Sequence, residues 1–238
     1  MLIRKKQSLS CIFFFLFIFS GNALSQSEVT DLDEILVTAT RLNSSLSNAA
    51  RSISIVDKDR IQNATQQLAM DEALAGVPGL YMQNRYNFAQ DLRVSLRGFG
   101  ARSAFGIRGI KVIVDGIPET LPDGQAGVDS IDLGSARRIE VIRGPASSNY
   151  GNAAGGVIAI ETETGDDPAF IQTTFAGGNL GYKKFQLKTG GKNEIMNYLV
   201  NFSKQDLTGY RAHSISEGAL FNGKFGFKLN EQDQLNVS

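Results

Sequence analysis

The last third of the chain alternates between apolar and polar residues. In residues 196–203 the apolar positions include Met196, Tyr198, Val200 and Phe202, and the positions between them are mostly polar. Residues 185–188 and 219–230 repeat the pattern, and turn-forming residues separate the segments. Alternation with a period of two predicts strands with one apolar and one polar face. About five such strands fit after residue 169 at roughly ten residues each, and we expect them to form an antiparallel sheet.

Four short apolar runs rich in β-branched residues lie in the middle of the chain, at 94–96, 111–115, 139–143 and 157–162. Loops that contain glycine or proline bound each run. This length and composition predict strands, and we expect all four to belong to one small sheet. The many glycines at the strand ends permit positive φ and close backbone approach, which favours a compact domain.

The segment before these runs predicts strand and short helix in alternation. Residues 52–56 alternate as a strand does, and Thr65 is a candidate N-cap for a helix that ends at Gly76. Residues 80–83 then return as a strand. The pattern predicts a mixed α and β domain over one small core.

The first 25 residues have the layout of a secretory signal peptide. Residues 4–6 are basic, 12–19 are apolar, and 23–25 supply small residues at the cleavage position. A membrane-spanning anchor would need about 20 apolar residues, so the run is too short. The single cysteine, Cys11, lies inside this leader, and the predicted mature chain therefore has neither disulfides nor thiolate metal sites.

Composition narrows the class of protein. The formal net charge is +0 and 42% of the residues are hydrophobic, which fits neither a disordered chain nor a basic nucleic-acid binder. The leader carries three basic residues and no acidic one. The predicted mature chain is therefore mildly acidic and exported.

Four motifs carry a resemblance to a known family. They are RGF at 97–99, VDGIP at 114–118, IEVIRGP at 139–145 and YGNAAGGVI at 150–158. In this order and spacing they resemble the plug domain of TonB-dependent outer-membrane receptors. The resemblance implies an α+β plug domain, a small mixed sheet with short helices, followed by antiparallel β-strands of an incomplete transmembrane β-barrel.

The resemblance divides the chain into four parts. These are a signal peptide at 1–25, a TonB box and linker at 26–50, the plug at 51–165 and the first barrel strands at 166–238. Large plugged transporters have about 22 strands, and open sheet edges are not tolerated in lipid. Because five strands cannot close a barrel, we expect a longer receptor of which this sequence is the amino-terminal part.

A short β-prone run precedes the plug and is isolated between flanks rich in serine and asparagine. With no neighbouring strand of its own, it is available to pair with the sheet edge of another protein. Its position resembles the TonB box, which implies pairing with TonB in the periplasm. The alternative is a first plug strand folded into the domain. The residues concerned are Asp33, Glu34, Ile35, Leu36, Val37, Thr38, Ala39 and Thr40.

Arg97 and Arg143 each end an apolar run and precede a glycine. A buried arginine must be paired, because an unpaired buried charge costs several kcal/mol. The resemblance implies that both pair with glutamates on the inner barrel wall, beyond this sequence, and so latch the plug to the barrel. The alternative is that either side chain is exposed at a strand end.

Two loops, 85–89 and 101–108, are expected to face outward from the plug. They combine aromatic and cationic groups, and arginine suits the recognition of carboxylates or anionic chelates through paired hydrogen bonds. The alternative is that these side chains fill space against the barrel wall. The ligand-binding candidates are Arg85, Tyr86, Phe88, Arg102 and Phe105.

The sequence offers little for catalysis. Residues 98–103 begin like a dinucleotide fingerprint, but Ser103 replaces the third glycine and the glycines that follow disfavour a helix there. The only histidine, His213, lies in a polar turn. We expect no enzyme activity, no cofactor and no metal site.

The expected function is energy-coupled uptake across the outer membrane. The expected partners are TonB, an iron-chelate ligand and outer-membrane lipid, with no nucleic acid. Family frequency places a ferric siderophore or ferric citrate-like chelate first, and cobalamin, another metal chelate or a saccharide remain alternatives. A different class, a secreted β-rich surface-binding protein, would have no barrel and no need for energy.

Overall fold

The computed structural model describes residues 36–37, 44–45, 51–63, 65–83, 86–104, 106–230 and 234–238. All of them belong to one compact unit, Ile35–Ser238. Among these residues no helix is both long and apolar enough to cross a membrane.

Strands dominate the described residues. In chain order they are β1 (Leu36–Val37), β2 (Ser44–Ser45), β3 (Ser52–Asp57), β4 (Leu80–Gln83), β5 (Arg93–Leu96), β6 (Ile107–Arg108), β7 (Ile110–Val114), β8 (Ile117–Pro118), β9 (Gln125–Ala126), β10 (Ala136–Arg143), β11 (Gly156–Thr162), β12 (Phe170–Gly177), β13 (Lys183–Lys192), β14 (Met196–Leu207), β15 (Ser216–Lys228) and β16 (Gln234–Val237). The helical elements are short: a π-helix at Asp59–Asn63, α1 (Met70–Leu74), α2 (Ser147–Tyr150) and a 3-10 turn at Asn179–Gly181.

A mixed five-stranded sheet forms the centre of the plug, which we define as residues 51–165. Its strand order is β3-β10-β11-β7-β8, and β11 pairs with β7 in parallel while the other pairs are antiparallel. Ile139 and Ile158 pack into the larger core on one face, whereas Ile142 and Val157 pack into a smaller cluster on the other. Since both faces are covered, the central strands are nearly continuous apolar runs.

The prediction of one sheet for all four runs was wrong for residues 94–96. Strand β5 lies outside the central sheet and pairs with β4 in a separate antiparallel hairpin. A tight turn follows β5 directly, because Arg97 and Gly98 have φ values of 51° and 88° and Leu96 pairs with Phe99. The local composition predicts a strand, but it does not determine which strand it pairs with.

The helix near residue 70 starts later than predicted and is not capped by Thr65. The Thr65 hydroxyl donates to Ile61 O at 2.6 Å, and helix α1 begins after Ala69 without a side-chain cap. Instead the Glu72 carboxylate accepts the backbone N–H groups of Gln66 at 2.6 Å and Leu68 at 3.1 Å. The Glu72 carboxylate, in the first turn of the helix, therefore fixes the backbone of residues 66–68 that leads into α1.

The second sheet, which we call the wall, consists of β12 to β16 in sequential antiparallel order. Its apolar residues face away from the plug: Ile171, Phe175 and Phe221 are 71–78% exposed. Its polar residues face the plug and are buried, among them Gln186 and Asn201. The prediction of five alternating strands is confirmed, and the wall does not fold around a core of its own.

Candidate functional site

The plug and the wall meet through polar side chains rather than an apolar core. Lys184, Gln186 and Lys188 point inward from β13, Asn201 points inward from β14, and Lys224 points inward from β15. Each of them hydrogen-bonds to the plug. The alternating pattern of the wall therefore places its polar face on the plug.

Glu163, just after β11, is the centre of the first of these contacts. Its carboxylate accepts Lys188 Nζ at 2.6 Å, Lys58 Nζ at 2.6 Å and Gln62 Nε2 at 2.6 Å. Lys188 also donates to Gln62 Oε1 at 2.8 Å and to Gly134 O at 3.2 Å. Because Lys188 is only 1% exposed, it depends on these acceptors in place of water.

The surroundings of Glu163 favour its charged form. Partial burial raises the pKa of the carboxyl, but hydrogen bonds from Gln62, Lys188 and Lys58 together outweigh that effect. The pKa of Glu163 therefore lies below its ordinary value. A charged carboxylate at this position stabilises the contact between plug and wall.

We expect this contact to weaken in acid. Since the pKa of Glu163 is lowered on folding, its stabilisation is complete above the ordinary value of 4.5 and is lost as the pH falls through the lower value of the folded state. The measurement is the urea concentration at which the plug becomes protease-sensitive in the full-length protein in lipid vesicles, here called the release midpoint. The midpoint should fall with pH in the wild type and much less in Glu163→Gln. An equal fall in both proteins would assign the effect to another group.

A second contact lies around Asp132, which is buried. Its carboxylate accepts Asn201 Nδ2 at 2.6 Å and the backbone N–H of Gly134 at 3.0 Å. Gln186 Nε2 bridges the two sheets by donating to Gly134 O at 3.1 Å and to Asn201 Oδ1 at 2.9 Å. The 132–134 turn is thereby fixed against the middle of the wall.

A third contact uses the hairpin turn between β7 and β8. Asp115 and Gly116 have φ values of 47° and 84°, the left-handed pair that a two-residue hairpin requires. The Asp115 carboxylate accepts Lys224 Nζ at 3.0 Å, the backbone N–H of Thr162 at 2.9 Å and the Thr162 hydroxyl. The turn therefore joins the last plug strand to β15.

The sequence pattern did not identify Glu163 or Asp132. Neither carboxylate has a local signature, because Lys188 lies 25 residues after Glu163 and Asn201 lies 69 residues after Asp132. One signal was available. Lysines at alternating positions on the polar face of the wall need acidic or carbonyl partners if that face is covered.

The structure brings Arg97 and Arg143 together at one end of the central sheet. Arg97 Nη1 lies 3.5 Å from Arg143 O, and Arg143 Nη1 donates to Pro78 O at 3.3 Å. Arg97 is exposed and Arg143 is half-buried. Within the described part of the chain neither makes an ion pair with a carboxylate.

Most of the predicted box, Asp33–Thr40, lies outside the described residues; only Leu36 and Val37 are included. The expectation that this run has no neighbouring strand was wrong, because β1 pairs antiparallel with β2. Leu36 is opposite Ser45 and Val37 is opposite Ser44. The flank that was read as a linker supplies this partner, since serine tolerates an extended backbone even though its strand propensity is low.

Two of the ligand-binding candidates share a cavity of about 300 Å³ between the plug and the start of β15. Tyr86 and Phe88 line it with their partly exposed rings, together with Asp91 and Asp129. Partial burial, and then the charge of Asp91, raise the pKa of Asp129. Arg102 is exposed and does not line this cavity.

The remaining two candidates, Arg85 and Phe105, lie outside the described residues. Among the residues that are described, the cavity lining includes no arginine, lysine or histidine. The cavity thus offers aromatic and acidic groups, while the cationic Arg102 lies on the other loop.

Comparison with known proteins gives a consistent result. Residues 45–157 match the family model described as TonB-dependent Receptor Plug Domain. The chain is 32% identical over 166 residues to a hemin receptor of Yersinia enterocolitica, covering 68% of this chain and 22% of the relative. It is 28% identical over 196 residues to a vitamin B12 transporter BtuB of Vibrio vulnificus, covering 81% of this chain and 31% of the relative.

Solved structures share the fold. The pyoverdine outer membrane receptor FpvA of Pseudomonas aeruginosa superimposes with a TM-score of 0.67 at 20% identity, over 85% of this chain and 29% of that one. The ferric yersiniabactin uptake receptor FyuA of Yersinia pestis gives a TM-score of 0.64 at 21% identity, over 78% of this chain and 30% of that one. The chain spans less than a third of the length of these relatives and structures.

Proposed function

Because this chain belongs to the family of TonB-dependent outer-membrane receptors, we propose that it is the plug and first barrel strands of a receptor for energy-coupled uptake of a scarce ligand. The observation that carries the proposal is the arrangement of the two sheets. A compact plug is bound by ion pairs to the polar face of the wall, and the opposite face of the wall is apolar. That arrangement suits a stopper in a barrel with lipid outside and a polar interior.

The energy for uptake would be delivered as a mechanical pull by TonB on the amino-terminal run. We propose that TonB pairs with Asp33–Thr40 by adding a strand, since Leu36–Val37 is already extended and backbone pairing needs an extended segment. Its short ladder with β2 would then either be extended by TonB or be replaced by it.

Deleting residues 33–40 from the full-length receptor should abolish uptake and leave ligand binding intact. The reason is that the run is the proposed point of attachment for TonB, whereas the ligand-binding candidates belong to residues 85–89 and 101–108. Uptake is measured with radiolabelled iron chelates in intact cells, and binding is measured on the same cells without an energy source. Loss of binding together with uptake would contradict the proposal, as would uptake that survives the deletion.

Arg97 and Arg143 remain proposed latches. Both guanidinium groups contact backbone carbonyls, and neither has a carboxylate partner in the described part of the chain, so both are available to glutamates elsewhere in the receptor. Removing either partner of such an ion pair would leave the other charge unpaired.

For the ligand we propose a ferric siderophore or a ferric citrate-like chelate. Arg102 supports an anionic chelate, while Tyr86 and Phe88 offer aromatic contact from the cavity on the other loop. The hemin receptor and the vitamin B12 transporter among the relatives make heme and cobalamin the first alternatives to measure. Competition for uptake between ferric citrate, hemin and cobalamin separates the three.

A further inference from the structure

The inner face of the wall carries charge of one sign. By the strand register, every charged residue that faces inward is a lysine, and there is no inward aspartate or glutamate on the described wall residues. The two carboxylates of the long strand pair β14 and β15, Asp206 and Glu217, are opposite each other on the outer face. The inward lysines are Lys184, Lys188, Lys192, Lys224 and Lys228.

Three of these lysines are covered by the plug in this structure. Lys184 donates to Gln67 Oε1, Lys188 pairs with Glu163 at 2.6 Å, and Lys224 pairs with Asp115 at 3.0 Å. Lys184 and Lys188 are 7% and 1% exposed. The plug thus supplies hydrogen-bond acceptors to these three lysines and covers their charge while it is seated, whereas Lys192 and Lys228 are exposed.

Under the proposed function the plug must move to let the ligand pass, and that movement would take Gln67 and Asp115 away from Lys184 and Lys224. Lys184 and Lys188 are four residues apart on β13, or about 14 Å. Lys224 lies two strands away on β15, at the level of Gly190, which is two residues beyond Lys188. These separations exceed the Debye length of about 8 Å at physiological ionic strength, so each lysine would attract a passing anion in turn rather than as part of one summed field.

We propose that Lys184, Lys188 and Lys224 form a lysine lane that guides a negatively charged ligand past the wall once the plug has moved. The proposal rests on the proposed function and narrows its ligand to one with net negative charge, such as a carboxylate-bearing metal chelate. Rings or rows of lysine select anions in pores by the same electrostatics. The lane differs from the ligand-binding candidates in residues 85–89 and 101–108 because it acts after the ligand has bound.

The test is the ion selectivity of the full-length receptor in a planar bilayer, with the plug loosened by urea and a KCl gradient across the membrane. The variant is Lys184→Gln/Lys224→Gln, which leaves the most deeply buried lysine in place. The matched control is Lys204→Gln, an exposed lysine on the outer face of β14. The ratio of chloride to potassium permeability should fall by about twofold or more in the double variant and stay unchanged in the control.

Lys184→Arg/Lys224→Arg keeps the charge and should keep the wild-type selectivity, which separates loss of charge from misfolding. Equal selectivity in the glutamine double variant and the Lys204→Gln control would overturn the lysine lane. Because the measurement needs no TonB, it can fail while the uptake experiment succeeds, and the two outcomes are distinguishable.

Discussion

Replacing Glu163 with alanine should release the plug at a much lower urea concentration than in the wild type. The change leaves Lys188 buried at 1% exposure without its carboxylate, while Gly134 O and Gln62 remain as neutral acceptors. Breaking a buried ion pair by removing one partner typically costs about 3–5 kcal/mol. The release midpoint of the receptor in lipid vesicles measures this loss.

Two further variants show whether the buried pair is responsible. Lys58 pairs with the same carboxylate, but its side chain is 47% exposed. Lys58→Ala should lower the release midpoint little, because exposed ion pairs contribute about 0–1 kcal/mol. Adding Lys188→Met to Glu163→Ala removes the unpaired charge and should recover much of the loss. If Lys58→Ala is as damaging as Glu163→Ala, or if the methionine recovers nothing, the buried pair does not hold the plug.

The second large effect is expected at Gly165, where the chain leaves the plug. A Cβ on this glycine would overlap Gly191 O and Tyr198 O, two backbone atoms of the wall that cannot move without disturbing β13 and β14. Gly165→Val should therefore lower the stability of the seated plug by about 2–3 kcal/mol. The release midpoint and the yield of folded receptor in the outer membrane should both fall.

Gly127→Ala is the matched control. Gly127 has no atom within 4 Å of an added Cβ and its φ is not positive, so alanine should be tolerated. Its release midpoint should stay near the wild-type value. A receptor in which Gly165→Val also keeps the wild-type midpoint would mean that the wall does not approach the plug this closely.

The elements of both sheets could be predicted because they depend on local pattern. The alternation in 196–203 needs only a period of two, and the runs that became β7, β10 and β11 need only apolar β-branched residues between glycines. The family could be recognised for the same reason, because its motifs sit on the turns that end these strands.

The contacts that join the sheets could not be predicted in the same way. Glu163 finds Lys188 and Asp132 finds Asn201 only after both sheets are folded and aligned, so nothing near either residue marks it. Strand β5 pairs with β4 rather than with the central sheet. The Thr65 hydroxyl donates to the carbonyl of Ile61, earlier in the chain, and does not cap the helix that follows. Each outcome depends on packing at a distance, which overrides local preference.

The orientation of the wall around the plug is tested most directly by cross-linking in native outer membranes. The predicted mature part of this sequence contains no cysteine. Any cysteine elsewhere in the full-length receptor is first replaced by serine, so that the introduced thiols are the only ones. Asp132→Cys should cross-link rapidly to Asn201→Cys through a short bifunctional thiol reagent, since the native side chains touch at 2.6 Å. Asp132→Cys should not cross-link to Phe202→Cys, one residue along on the outer face. Cross-linking to position 202 but not to 201 would contradict a plug enclosed by the polar face of the wall.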